Sequence, residues 1–209
     1  MIIRCIALDL DGTLVDSDSF VRDGFRFALA DTGISVTAAL IELLRGRRVG
    51  ELFSGLLSQG EAKVATERLQ RFDREHAKHL RRSEELCAFL TEGTHRTKAA
   101  IWTGRSREST LRILASIGLA SAFDLLISSD DLIEQKPACE GLMRICNNLE
   151  INPSELVAVG DHVHDMEAAN GCGAISALAQ WYHDAPVGCS PQFRFHDPVR
   201  FIDWLKGSI

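Results

Sequence analysis

From about residue 97 onward, short apolar runs alternate with stretches at helical spacing, and that rhythm admits few architectures. "TKAAIW" reads as a strand, followed by a helix through "STLRILASIG" that Gly118 closes at its C-terminus. "FDLLISS" is the next strand, and Pro137 suits the first turn of a helix running through "EGLMRICNNL". "ELVAVGD" is a strand, "DMEAAN" a short helix stopped at Gly171, "GAISALA" a strand, and "PVRFIDWLK" a closing helix. Strand and helix repeating at this spacing predict parallel βαβ units and an α/β fold with a doubly wound parallel sheet.

The N-terminal "IIRCIALDL" fits the same sheet, because it is short, apolar and isoleucine-rich, like a strand covered on both faces. The alternation then breaks. Val49, Leu52, Phe53, Leu56 and Leu57 fall on one helix face, and "GEAKVATERLQRFDREHAKHL" reads as a second helix, polar over most of its circumference. Residues 18–82 are therefore expected to form a small all-helical domain inserted after the first strand, with breaks near Gly33 and Gly46. Residues 1–17 and 83–209 make the α/β core domain. A chain of 209 residues with 45% hydrophobic and 25% charged side chains can support one sizeable core and such an insertion.

The formal net charge of −6 divides into +3 over residues 18–82 and −9 over the rest. An acidic body beneath a basic insertion suits a metal and an anionic substrate, although for any single arginine a solvated helix face is the better account. The overall sign excludes nucleic acid as a partner of the whole surface. Apolar runs of signal-peptide or membrane-spanning length are absent, so no membrane association and a cytoplasmic location are expected. The six cysteines carry no CxxC spacing and lie mostly in apolar context, as buried thiols do in a reducing compartment.

Open parallel sheets bind ligands at the carboxyl ends of their strands, and the chemistry-bearing residues fall there. Asp9 and Asp11 follow the first strand, Thr103 and Gly104 follow "AAIW", Asp161 follows "LVAV", and Lys136 lies just beyond "LLISS". Carboxylates crowded at one crevice repel each other unless a cation compensates, and Mg²⁺ takes oxygen ligands while water and phosphate fill its remaining positions. A lone Asp-Gly is ordinarily a turn, but Asp9-x-Asp11-Gly12-Thr13 directly after a strand points to a site. Asp16 and Asp18 read as hinge-loop or helix-start residues, and His162 and His164 as structural or exposed. Arg47 and Arg48 in "LRGRRVG" either belong to a solvated face or present a guanidinium to a second anionic group of the substrate.

Taken in order, "DLDGTLVDS", "WTGRS", Lys136-Pro137 and "GDHVHD" resemble the four motifs of the haloacid dehalogenase superfamily, in its phosphatase branch with an inserted helical cap. The likeness to phosphoglycolate phosphatases covers nearly the whole chain. It implies a Rossmann-like core and Mg²⁺-dependent hydrolysis of a small phosphorylated metabolite, such as phosphoglycolate or a sugar phosphate. Under this resemblance Asp9 is the nucleophile that becomes an aspartyl-phosphate, and Asp11 is the general acid and base. Asp9, the Asp11 backbone carbonyl and Asp161 hold the metal, while Asp165 supports the metal shell or positions the lysine. Thr103, Gly104 and Lys136 bind the phosphoryl group. Crowding of Asp11 by Asp9 and Asp161 is expected to help it carry a proton near neutral pH. Arg105 and Cys139 depart from the family pattern without removing a catalytic group. A phosphomutase on the same scaffold remains open, as does a monomer or a homodimer. A signalling module that stores a phosphoryl group would need neither Asp11 nor a lid.

Overall fold

The computed structural model describes residues 2–44, 48–92, 97–184 and 188–208. In chain order the elements begin with β1 (Cys5–Leu8), β2 (Val15–Asp16), α1 (Asp18–Ala28), α2 (Ala38–Leu44), α3 (Val49–Leu56), α4 (Gln59–His76) and β3 (Arg81–Arg82). They continue with α5 (Glu84–Thr91), β4 (Lys98–Trp102), α6 (Arg107–Ser116), β5 (Leu125–Ile127), α7 (Glu140–Leu149) and β6 (Leu156–Gly160). The chain ends with α8 (Val163–Cys172), β7 (Ile175–Ala179), β8 (Phe193–Phe195) and α9 (Pro198–Lys206). Six strands form one parallel sheet in the order β5-β4-β1-β6-β7-β8.

Alternation along β1 sends Ile6 and Leu8 to one face and Cys5 and Ala7 to the other, and both faces are covered. The first face packs on α5, α6 and α9 through residues such as Leu86, Ile113 and Phe201. The second is lined by small residues, Ala7, Ala100 and Ala158, against which α7 and α8 settle closely and Trp102 supplies the bulk. Burial on both sides is why the strands read as continuous apolar runs.

The sheet register aligns the strand ends. Leu8 lies opposite Ile101 and Val159, and Trp102 opposite Ile127, so the residues that follow β1, β4 and β6 emerge side by side. Backbone bonds carry the alignment one step further: Asp9 N–H donates to Val159 O at 2.8 Å, and Thr103 N–H to Ile127 O at 3.0 Å. The strand order reverses direction at β1 and β6, the kind of point where doubly wound sheets open a crevice.

Between β2 and β3 the chain leaves the sheet and makes α1 to α4, whose apolar faces share a separate cluster around Phe25, Phe53, Leu52 and Ala65. The Phe25 and Phe53 rings lie 5.4 Å apart, and Ser58 and Glu61 close a capping box at the start of α4. The exit and return strands pair antiparallel, Val15 with Arg82 and Asp16 with Arg81.

Several local expectations shift. Pro137 does not open α7, which begins at Glu140; it sits in the turn after Lys136, joined by a cis peptide bond. Gly171 lies inside α8, which Gly173 ends in the left-handed conformation (φ 77°). Leu56 is exposed, because α3 stops there and Leu57 turns extended. Gly118, at φ 78°, follows α6 as its sequence predicts. Gly46 lies outside the described residues. All six cysteines are free, with Cys5, Cys87, Cys146 and Cys189 buried. Among the described residues no helix is long and apolar enough to cross a membrane.

Candidate active site

The loop after β1 turns back on itself, with Gly12 N–H donating to Val15 O and Leu14 and Val15 N–H to Leu10 O. Buried Leu10 and Leu14 anchor it, and Trp181 Nε1 donates to Thr13 O at 2.8 Å. Gly12 is obligatory here twice over: its φ is 72°, and a Cβ would stand 2.2 Å from Asp161 Oδ2. Close approach of the loop to β6 thus brings the first-strand acids against Asp161. Gly160 plays the same part for Asp165, whose Cγ would lie 2.3 Å from an added Cβ.

Asp9, Asp161 and Asp165 are buried, and each offers a carboxylate oxygen within 4.8 Å of the others. Lys136 reaches in from the loop before α7 and places Nζ 2.9 Å from Asp9 Oδ1 and 2.7 Å from Asp165 Oδ1. The other Asp165 oxygen accepts the His162 N–H at 3.0 Å, capping α8 while its partner holds the lysine. Burial pushes the Asp9 carboxyl up, to about 7, opposed by the Lys136 ammonium and reinforced by Asp165 and Asp11. Burial alone would lower Lys136, but Asp165 and Asp9 outweigh it and hold the ammonium above the usual lysine range. One ammonium faces three buried carboxylates, so the donor set fits a hard divalent ion with oxygen ligands.

Thr103 is buried at the end of β4, where its hydroxyl accepts the Arg105 N–H at 3.2 Å, and Gly104 lines the cavity beside it. The cavity measures about 190 Å³ and runs from these strand ends to a wall of helical residues that includes Phe20, Val21, Phe25 and Leu69. Asp9, Asp11, Thr103, Gly104, Lys136, Asp161 and Asp165 all meet there.

Asp11 has a neighbour that crowding alone does not anticipate. Arg105 grips its carboxylate with both arms, Nε at 2.6 Å and Nη2 at 2.9 Å. Nη1 turns to Asp73 of α4 at 3.4 Å and to Ser109 Oγ at 3.2 Å, and Ser109 donates to Asp73 at 2.6 Å. The guanidinium also lies over the Phe20 ring at 5.6 Å. The departure from pattern at Arg105 is thus a buried bridge between the first-strand loop and α4. Asp73 was readable as a charge on the inward stripe of α4, next to Phe72 and four residues after Leu69. Replacing Arg105 by methionine should cost about 3–5 kcal/mol, because Asp73 is left buried without its cation. Urea unfolding of Arg105→Met, Asp73→Asn and the double variant should show the pair coupled, with the double variant losing less than the sum. Additive losses would remove the bridge as a unit.

Arg48 points elsewhere than the cavity. Its guanidinium donates to Ser129 O at 3.2 Å and to Leu132 O, tying the start of α3 to the segment after β5. Arg47 lies outside the described residues. His162 caps α8 and its Nε2 sits 3.1 Å from Glu42 of α2, while His164 N–H approaches His162 Nδ1 at 3.3 Å; both rings line the cavity. Asp16 pairs with Arg81 at 3.3 Å beside the crossing strands, and Asp18 opens α1.

A doubly wound α/β protein with an acidic crevice at its strand ends, a mostly buried lysine and helical residues along the cavity wall is the class that this geometry defines. The sequence matches the profile of the haloacid dehalogenase-like hydrolases over residues 6–179, and the chain belongs to that family. It is 25% identical over 183 residues to a phosphoglycolate phosphatase of Nitrosospira multiformis, covering 82% of this chain and 81% of that one. A phosphoglycolate phosphatase of Chromobacterium violaceum is 29% identical, covering 88% of each. The crystal structure of a predicted phosphoglycolate phosphatase from Haemophilus somnus 129PT superposes with a TM-score of 0.84 at 21% identity, covering 99% of this chain and 98% of that one, and shares the fold.

Proposed function

We propose that the protein is a Mg²⁺-dependent phosphatase that hydrolyses a small phosphomonoester in two steps through an aspartyl-phosphate on Asp9. The observation that carries this reading is the Lys136 ammonium, mostly buried and held between Asp9 and Asp165 beside a third carboxylate, Asp161. That arrangement gives a carboxylate nucleophile and a fixed positive charge within reach of one phosphoryl group. Asp9, the Asp11 carbonyl and Asp161 would hold Mg²⁺, with Asp165 in support, and the ion supplies charge neutralisation for the phosphoryl oxygens and the crowded acids.

The rest of the chemistry belongs to the chain. An Asp9 carboxylate oxygen attacks phosphorus, the ester P–O bond breaks, and the leaving oxygen takes a proton from Asp11, whose carboxyl must first turn away from Arg105, the guanidinium bonded to both of its oxygens here. Water then attacks the phosphorus of the acyl phosphate, gives its proton to Asp11, and releases orthophosphate while Asp9 returns as a carboxylate. Thr103 Oγ1, the Gly104 backbone and Lys136 Nζ orient the phosphoryl oxygens. Residues 18–82 act as a cap over the cavity, hinged where β2 and β3 cross, and exclude water during the transfer. Phosphoglycolate and sugar phosphates are the first substrates to try, by analogy with the named relatives. A cytoplasmic monomer or homodimer is the form in which we expect it to act.

A panel of phosphomonoesters, with and without metal, tests the reading. Activity should vanish on chelation and return with Mg²⁺, and Asp161→Asn should lower the rate and weaken the apparent Mg²⁺ affinity together. Isothermal titration of the substrate-free protein with Mg²⁺ gives a readout apart from turnover, and Asp161→Asn should reduce that binding at least tenfold. Full hydrolysis in the presence of chelator would sink the assignment.

A further inference from the structure

We infer that Trp102 is a positioning residue for Lys136, its indole face holding the ammonium against Asp9. The inference rests on the reading that Lys136 serves phosphoryl transfer. Trp102 is the last residue of β4, fully buried on the face covered by α7 and α8. Its ring centroid lies 4.0 Å from Lys136 Nζ, while Asp9 and Asp165 flank the same nitrogen at 2.9 and 2.7 Å. Two carboxylates and one π face therefore fix the ammonium from three sides. Tryptophan offers the strongest such face among the aromatic residues, and the attraction grows when the cation is desolvated, as it is here.

Packing by itself does not account for an indole at this position. Nε1 is buried with no hydrogen-bond partner among the described residues, a burden that phenylalanine or leucine would avoid. The surroundings are nevertheless fitted to the indole. Gly141 of α7 lies flush against its edge, where a Cβ would stand 2.3 Å from Nε1 and 2.6 Å from Cδ1. The helix thus clamps the edge and leaves the face to the lysine. A lysine is a compact charge on a flexible stem. Without the π face, its ammonium is free to drift from Asp9 toward Asp165.

Fluorinated tryptophans separate a π-face role from a packing role, because successive fluorines withdraw electron density from the ring while barely changing its shape. The chain is produced with ordinary, monofluoro-, difluoro- and trifluorotryptophan, and kcat/KM for p-nitrophenyl phosphate is measured with saturating Mg²⁺. Melting temperatures are recorded for each preparation. The expected result is a stepwise fall in kcat/KM, about tenfold across the series, with melting temperatures nearly unchanged. The same labelling of Trp102→Phe acts only through Trp181 and Trp204 and should give a flat series. Trp102→Phe should also retain more activity than Trp102→Leu at a temperature where both are folded. If either variant fails to fold, the labelled wild-type series still decides. A flat wild-type series with Lys136→Ala inactive would overturn the inference and leave the phosphatase reading standing. Undiminished activity in Lys136→Ala would overturn both.

Discussion

Asp9→Asn should abolish turnover, with kcat falling by roughly 10⁴- to 10⁶-fold, the scale seen when a covalent catalyst loses its nucleophile or the partner that activates it. The substitution keeps the size and shape of the side chain and the Asp9 N–H bond to Val159 O that continues the sheet. What it removes is the attacking oxygen and one of the two anions that hold Lys136 Nζ. Because Asp165 keeps the lysine and Asp161 stays in place, the variant should remain folded and still bind orthophosphate. Rapid quench with mass spectrometry should find phosphate on the peptide containing Asp9 in the wild-type protein and nowhere in the variant. A residual rate above one hundredth of wild type, in protein purified free of contaminating phosphatase, would take the nucleophile's role away from Asp9.

Much of this arrangement was legible because the sheet imposes a simple geometry. Parallel strands in register end together, so residues directly after β1, β4 and β6 had to meet whatever the loops did. Asp9, Asp11, Asp161 and Thr103 could be assembled on that basis, with Lys136 added from the segment beyond β5, whereas Asp165, inside α8, came in only through the family resemblance. Short elements escaped notice for the opposite reason: two-residue strands such as β2 and β3, and the three-residue β8, carry too little pattern for periodicity to register. Interactions that depend on three-dimensional neighbours were equally invisible. Nothing in "TGRS" says that Arg105 will grip Asp11 with one side and α4 with the other, and nothing in "AAIW" says that the indole will face a lysine 34 positions later. Gly141 and Gly160 look like ordinary helix and strand glycines until the side chains against them, Trp102 and Asp165, are seen. The features that would choose a substrate stayed least legible. The cavity wall combines apolar residues from several helices, and Arg48, a candidate for substrate contact, ties α3 to core carbonyls.

Asp11→Asn should divide the reaction at its intermediate. Asparagine preserves the backbone carbonyl assigned to the metal but neither gives nor takes a proton in the reaction. For an alkyl phosphate, whose leaving oxygen needs protonation, both half-reactions should slow by about a hundredfold or more. An activated aryl ester leaves without that help, so its first step should survive while hydrolysis of the Asp9-phosphate slows, and the phosphoprotein should accumulate. Arg105 adds a second consequence particular to this chain. Its guanidinium is bonded to both Asp11 oxygens, and asparagine would leave it one acceptor oxygen and an NH₂ that repels its donors. The bridge to Asp73 and Ser109 should then carry the arginine alone, drawing it toward α4. Asp11→Glu separates the two effects, because it restores the carboxylate and its charge while displacing the proton donor. Loss of acid–base chemistry predicts phosphoprotein accumulation in Asp11→Asn and in Asp11→Ala alike. Loss of the arginine bridge predicts a lowered melting temperature in both, with partial recovery in Asp11→Glu. A wild-type phosphoprotein that lasts for minutes and is unchanged by Asp11→Asn would instead mark the protein as a phosphoryl store, with Asp11 serving only to seat Arg105.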